Sequence, residues 1–180
     1  MGIRVIGVVG PSGVGKDTVM EAMAVADARV HLVRRVITRK AGAGGENSIG
    51  ATDAEFDLLI AEDAFALWWA AHGLRYGVPR KALANDDEKA FVLVNLSRGI
   101  LDRARQAFPD FMVLSLTADA TTLAARLAAR GRETAEEIEH RLARAKSARP
   151  TGADVVEIAN EGDLDDTVAR ALAAIQPVRV

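Results

Sequence analysis

Cysteine is absent from the 180-residue chain, tyrosine occurs once, and aromatic residues make up only 4% of it. Without thiols there is no disulfide framework, no thiolate metal site and no redox pair, and an intracellular, cytoplasmic location is the simpler expectation. The three histidines, His31, His72 and His140, lack metal-ligand spacing. No apolar run approaches the ~20 residues of a membrane-crossing helix. The apolar start, Ile3 to Val9, contains Arg4 and leads into a glycine loop rather than a small-residue cleavage site, so it reads as a buried strand. Neither sign of charge dominates: 23 Lys and Arg against 25 Asp and Glu leave a formal net charge of −2, which excludes a generally basic nucleic-acid surface. The partners expected are therefore small molecules, with no nucleic acid and no membrane, while composition leaves the oligomeric state open.

What is present is an alternation of apolar runs and helical stretches. "IRVIGVV", the glycine loop and "KDTVMEAMAVADA" form a strand, a loop and a helix that begins near Gly15. Val30 to Thr38 is a second strand, and "AGAGGEN" after it is a loop by its glycine content. "DAEFDLLIAEDAFALWWAAHG" reads as mostly helical, broken by "LRYGVP". In a helix or a strand, adjacent Trp68 and Trp69 cannot both face inward, so one belongs to the core and the other to a pocket. "AFVLVN" and "FMVLSLT" are the continuous apolar runs of a sheet covered on both faces. The helices "RGILDRARQAF" and "DATTLAARLAAR", a charged stretch, and then "DVVEIA" with "DLDDTVARALAAI" complete the chain. The length suits one domain, 1–180, built as an α/β parallel sheet flanked by helices, with residues 39–84 as an insert beside it.

The most specific segment is "GPSGVGKDT": Gly10, Pro11, Ser12, Gly13, Val14, Gly15, Lys16, Asp17 and Thr18. Gly10 is followed by four residues and then Gly15 and Lys16, a phosphate-binding loop placed between a strand and a helix. Glycines let backbone N–H groups turn inward, Lys16 reaches the outer phosphates, and the helix dipole adds attraction. Asp17 stands where a Ser or Thr hydroxyl ordinarily meets magnesium. A carboxylate beside a polyphosphate is repelled unless a cation lies between, and magnesium takes one or two carboxylates along with phosphate oxygens. The strand "FVLVN" ends in Asn95 rather than in the Asp that such enzymes often use, so one reading moves the metal-binding charge to Asp17. The other makes Asp17 an ordinary helix-end charge.

These features resemble the guanylate kinase family along nearly the whole chain. "GPSGVGKD" resembles its phosphate loop, Thr38–Arg39 the start of its acceptor-phosphate motif, "HGLRYG" its glycine-to-tyrosine segment, "RLAARGRETAEEIEHRL" its lid, and "EIANEGDL" its base-contacting segment. The departures fall where that family reads guanine: the acidic reader falls on Leu67 and the hydroxyl reader on Val78. A site built on polar contacts to a base edge loses discrimination steeply without them. The loop with Asp after Lys, "ITR" followed by "GGEN", "HGLRYGV" and "LVNLSR" are closer to the ribose 1,5-bisphosphate phosphokinase family of phosphonate breakdown.

That resemblance implies a P-loop kinase with a small acceptor-binding insert and a helical lid at 130–141, which passes a phosphoryl group from ATP, with Mg2+, to ribose 1,5-bisphosphate to form 5-phosphoribosyl 1-diphosphate. It assigns Lys16, Arg130 and Arg141 to the transferring phosphates and Asn160 to the purine of the donor. On the acceptor side stand Arg39, Glu46, Tyr76, Asn95, Ser97 and Arg98, whose guanidinium, hydroxyl and amide groups suit a sugar with two anionic ends. Helix capping is the plain alternative for Asn95 and Ser97. Two other functions remain open at this point: a guanylate kinase with an altered pocket, and a catalytically silent binding module of the same fold.

Overall fold

The computed structural model describes residues 3–40, 47–84, 90–131, 134, 136, 138–140, 142–143 and 149–176. Five strands, β1 (Arg4–Val9), β2 (Val30–Leu32), β7 (Phe91–Asn95), β8 (Phe111–Thr117) and β9 (Val155–Ala159), form one sheet in the order β2-β7-β1-β8-β9. All of its pairings are parallel. The central strand alternates between the two faces of the sheet, as the two-residue repeat requires. Ile6 and Val8 join a cluster with Met20 and Met23 of α1 (Lys16–Ala26) and Ala171 and Ile175 of α5 (Leu164–Ile175). Val5 and Val9 face the other way, toward Leu101 and Ala104 of α3 (Leu101–Ala107) and Phe108. A sheet covered on both faces explains why these strands read as continuous apolar runs.

A second, four-stranded sheet has the order β4-β3-β6-β5, from β3 (Val36–Ile37), β4 (Ile49–Gly50), β5 (Phe65–Ala71) and β6 (Leu74–Pro79). One expectation is corrected here. Val30 to Thr38 is two strands, not one: β2 pairs with β7 in the main sheet, and β3 pairs with β6 in the second. The strands of the second sheet thus begin at Val36, ahead of Arg39.

The stretch read as mostly helical is α2 (Asp53–Ala61) followed by strand β5. Thr52 and Glu55 form a reciprocal capping box at the start of α2. Asp63, at φ 50, makes the left-handed turn that leaves the helix, a conformation that aspartate tolerates better than most residues. In β5 the side chains of Phe65, Leu67 and Trp69 are buried, while Trp68 and Ala70 point outward. The two-residue repeat is hidden in the sequence because the outward positions Trp68 and Ala70 are apolar as well.

Leu67 and Val78 are cross-strand partners, and both sit in the apolar cluster that also contains Val5, Val92 and Val94 of the main sheet. The positions expected to read a base edge are therefore packing positions that fasten the second sheet to the first. Leu67 is 5% exposed, so Leu67→Glu should cost more than the ~2–5 kcal/mol of truncating a buried leucine, because a carboxylate loses its water there. Urea unfolding measures this, and an unchanged midpoint would remove Leu67 from the core.

Candidate active site

The phosphate loop leaves the C-terminal end of the central strand, where β7 and β8 flank it. Gly13 and Gly15 have φ of 85° and 90°, the left-handed region in which a side chain is strained. At Gly15 a Cβ would also approach the side-chain nitrogen of Asn160 to 3.0 Å. The Val14 carbonyl accepts a 2.8 Å hydrogen bond from Asn160 Nδ2, beyond the end of β9, and a 3.2 Å bond from Arg126 Nη1, on α4 (Ala120–Arg130). Asn160 and Arg126 lie 146 and 112 residues along the chain from the loop that they pin. Asp119 caps α4 through the Thr122 N–H, and that bond holds its carboxyl below the ordinary value. Lys16 Nζ donates to the carbonyls of Gly10 and Pro11 at 3.1 and 3.3 Å, which lays the ammonium across the loop. The first turn of α1 follows directly, so the loop N–H groups and the positive end of the helix face the same point.

Asp17 lies in that first turn. The N-cap of α1 is Gly15, which has no side chain, and Asp17 places a negative charge at the positive end of the helix. Asn95 Nδ2, at the end of β7, donates to Asp17 Oδ1 at 3.2 Å. The strand end that lacks a carboxylate is thus in contact with the helix position that has one. Among the described residues no group of three or more His, Cys, Asp or Glu could hold a metal ion. A hard dication here would rely on the single Asp17 carboxylate together with phosphate oxygens and water, a donor set that suits magnesium and does not suit a metal needing an all-protein cage.

On the acceptor side, Tyr76 stacks on Trp69, with ring centroids 5.3 Å apart and planes 12° from parallel. Ser97 does not cap the 3-10 turn Arg98–Ile100: its Oγ accepts from Trp69 Nε1 at 3.0 Å. The Arg35 guanidinium lies over both rings, 5.0 Å from that of Tyr76 and 5.7 Å from that of Trp69. Arg39 follows β3, and Thr38 beside it accepts a hydrogen bond from the Arg75 N–H. Arg98 borders two cavities. One, of about 170 Å³, includes Gly10, Pro11, Thr117 and Arg149; the other, of about 480 Å³, includes Trp69, His72, Ser97 and Arg103.

Three of these roles carry no signal in the sequence: Arg126 is one arginine of an alanine-rich helix, Arg35 belongs to no motif, and the ring pairing of Trp69 depends on a strand whose residues read as helix. Asn160 is 6% exposed, and its amide nitrogen serves Val14. Thr18 is exposed on α1, and Pro11 and Ser12 are half-buried in the loop. Glu46 and Arg141 lie outside the described residues, as does the side chain of Arg130, whose backbone ends α4.

No protein-family model matches the chain. It is 53% identical over 176 residues to a protein named ribose 1,5-bisphosphate phosphokinase PhnN from Ruegeria sp. (strain TM1040), covering 97% of this chain and 93% of that one. A protein of the same name from Azotobacter vinelandii is 43% identical over 181 residues, covering 98% of this chain and 97% of its own. Among solved structures, the fold is similar to a guanylate kinase from Anaplasma phagocytophilum (TM-score 0.59, 23% identity, 96% of this chain and 83% of that one). It is also similar to a gluconokinase from Sinorhizobium meliloti 1021 (TM-score 0.55, 20% identity, 96% of this chain and 90% of that one).

Removing an anchor of the Val14 carbonyl leaves a buried acceptor short of a donor, at a cost of about 1–3 kcal/mol. Asn160→Ala should therefore lower stability by about that amount and raise the KM for ATP. Urea unfolding and ATP titration of turnover measure the two effects. An unchanged ATP KM would mean that the loop keeps its shape without this bond.

Proposed function

The chain belongs to the ribose 1,5-bisphosphate phosphokinase family, a family of phosphotransferases, and on that premise we propose that it transfers the γ-phosphoryl group of ATP to ribose 1,5-bisphosphate, with Mg2+. An oxygen of the acceptor's 1-phosphate bonds to the γ-phosphorus as the bond to the β–γ bridging oxygen breaks. The products are 5-phosphoribosyl 1-diphosphate and ADP. The observation that supports this reading most directly is Arg98, a cation shared by the cavity at the phosphate loop and the cavity beside Trp69 and Ser97. An acceptor with two anionic ends needs positive charge where these cavities meet.

Phosphoryl transfer depends on alignment and charge neutralisation more than on covalent chemistry. Loop N–H groups and Lys16 orient the donor phosphates. Asp17 is the protein carboxylate for magnesium, and Asn95 orients it by hydrogen bonding to one of its oxygens. When bound, magnesium neutralises charge on the donor phosphates. Arg39, Tyr76, Asn95, Ser97 and Arg98 hold the acceptor, with Glu46 toward a sugar hydroxyl, and Arg130 and Arg141 close over the transferring group. A purine-base acceptor is disfavoured because Leu67 and Val78 offer no polar group and are already packed into the core.

ADP release measured with ribose 1,5-bisphosphate, GMP, AMP and ribose 5-phosphate tests the reading: ribose 1,5-bisphosphate should be used far better than GMP, and equal efficiency on GMP would overturn it. Lys16→Ala should impair both ATP binding and rate. Arg130→Ala should lower kcat by about 10² or more with little change in ATP affinity, the scale of a single transition-state charge donor. For the metal, Asp17→Ala should raise the magnesium concentration needed for half-maximal rate. Asp17→Ser with Asn95→Asp should recover more than Asp17→Ser alone, by returning the carboxylate to the strand end. An unchanged magnesium midpoint in Asp17→Ala would leave Asp17 as a helix-end charge.

A further inference from the structure

An indole N–H is a donor only, and when buried it needs an acceptor. Trp69 is 4% exposed, and its N–H is satisfied by Ser97 Oγ at 3.0 Å. This contact has a direction. Ser97 must accept, so one of its lone pairs is committed and its own O–H points elsewhere. Among the described residues no second hydrogen bond engages the Ser97 side chain. Both residues line the cavity of about 480 Å³ that also includes Arg98 and Arg103. The ligand proposed for this site is rich in phosphate and hydroxyl oxygens, and its phosphates only accept.

The indole is held from two further sides. Tyr76, its cross-strand partner, stacks against it, and Arg35, 5% exposed, covers both rings with its guanidinium. A cation over an aromatic face is attracted by the ring quadrupole, more strongly where water is excluded. Each of these contacts narrows the freedom of the indole, whose N–H occupies one acceptor position of a hydroxyl at the cavity wall.

We infer that Trp69 is a positioning residue for the acceptor: by donating to Ser97 it turns the Ser97 O–H into the cavity as a donor to an oxygen of the sugar bisphosphate. The inference deepens the function proposed above and rests on it for the choice of ligand. It also gives a reason for a bulky aromatic at the interface of the two sheets, since the residue that fastens the sheets together also aims the hydroxyl.

The test is a double-mutant cycle on Trp69→Phe and Ser97→Ala, with KM measured separately for ribose 1,5-bisphosphate and for ATP. Trp69→Phe keeps an aromatic ring at the stack and removes the N–H together with part of the buried indole volume. Ser97→Ala should raise the acceptor KM about tenfold or more, the scale of one hydrogen bond to a charged group, and Trp69→Phe should do the same in part. The double variant should be no worse than Ser97→Ala alone, because the indole acts only through the serine. The KM for ATP should stay within twofold in all three. Additive losses, or an acceptor KM in Trp69→Phe equal to that of the wild type, would overturn the inference. So would an unchanged acceptor KM in Ser97→Ala, an arm that remains readable even if the phenylalanine variant does not fold. Absence of ADP release by the wild type on ribose 1,5-bisphosphate would instead overturn the function proposed above, and a wild type that turns over normally separates the two.

Discussion

The arrangement at the active end of the sheet depends on one backbone carbonyl. A phosphate-binding loop is made of glycines and turned N–H groups, so it has little side-chain surface with which to pack itself in place. Here Val14 supplies the fixed point: its side chain is buried in the core, and its carbonyl accepts from Asn160 and Arg126. Those two donors come from the end of β9 and from α4, so the loop has its present shape only once the last strand and the fourth helix are in position. The lid stretch continues from the C-terminal end of α4. One helix therefore both anchors the loop and carries the start of the segment assigned to close over it.

A second constraint is charge. Asp17 adds a negative group where phosphate already carries several, and the main sheet brings the neutral amide of Asn95 to it. An aspartate at the strand end would have placed two carboxylates in hydrogen-bonding range, and an asparagine leaves one. The pair keeps a single negative charge at this spot, held by the amide.

The attachment of the second sheet follows from burial. Leu67, Trp69 and Val78 belong to the same apolar cluster as Val9, Val94 and Ile100, so the face of β5 and β6 that might have offered polar groups to a ligand is spent on packing. On that packing face Trp69 keeps a polar atom that is paired with Ser97, and Tyr76 stacked on it carries a phenol oxygen. Leu67 and Val78 thus offer nothing to a base edge, and the cavity of about 480 Å³ is lined both by the end of β5, from Trp69 to His72, and by the segment after β7, from Ser97 to Ile100. This is the physical sense in which the chain departs from a base-reading kinase while keeping a similar fold.

Much of this was legible in the residues themselves. The glycine loop, with a strand before it and a helix after it, specifies phosphate binding because only that order aims N–H groups and a helix end at one point. The continuous apolar runs of β1, β7 and β8 specify a parallel sheet covered on both faces. Asp17 and Asn95 were each identifiable as departures from a pattern, but 78 residues separate them, and only the parallel register of β1 and β7 brings them within 3.2 Å. The second sheet was hidden because Trp68 and Ala70 face outward yet are apolar, so the two-residue repeat of β5 carries no contrast in the sequence. Hydrogen-bond direction was equally out of reach. That Ser97 accepts from Trp69 rather than from a backbone N–H of the turn, and that Asn160 serves Val14, depends on donors that only tertiary packing delivers. Local sequence determined which elements form and which loop binds phosphate, because those follow from spacing along the chain. The tertiary structure alone decided which polar atoms remain available to a ligand, because that depends on which of them packing has already paired.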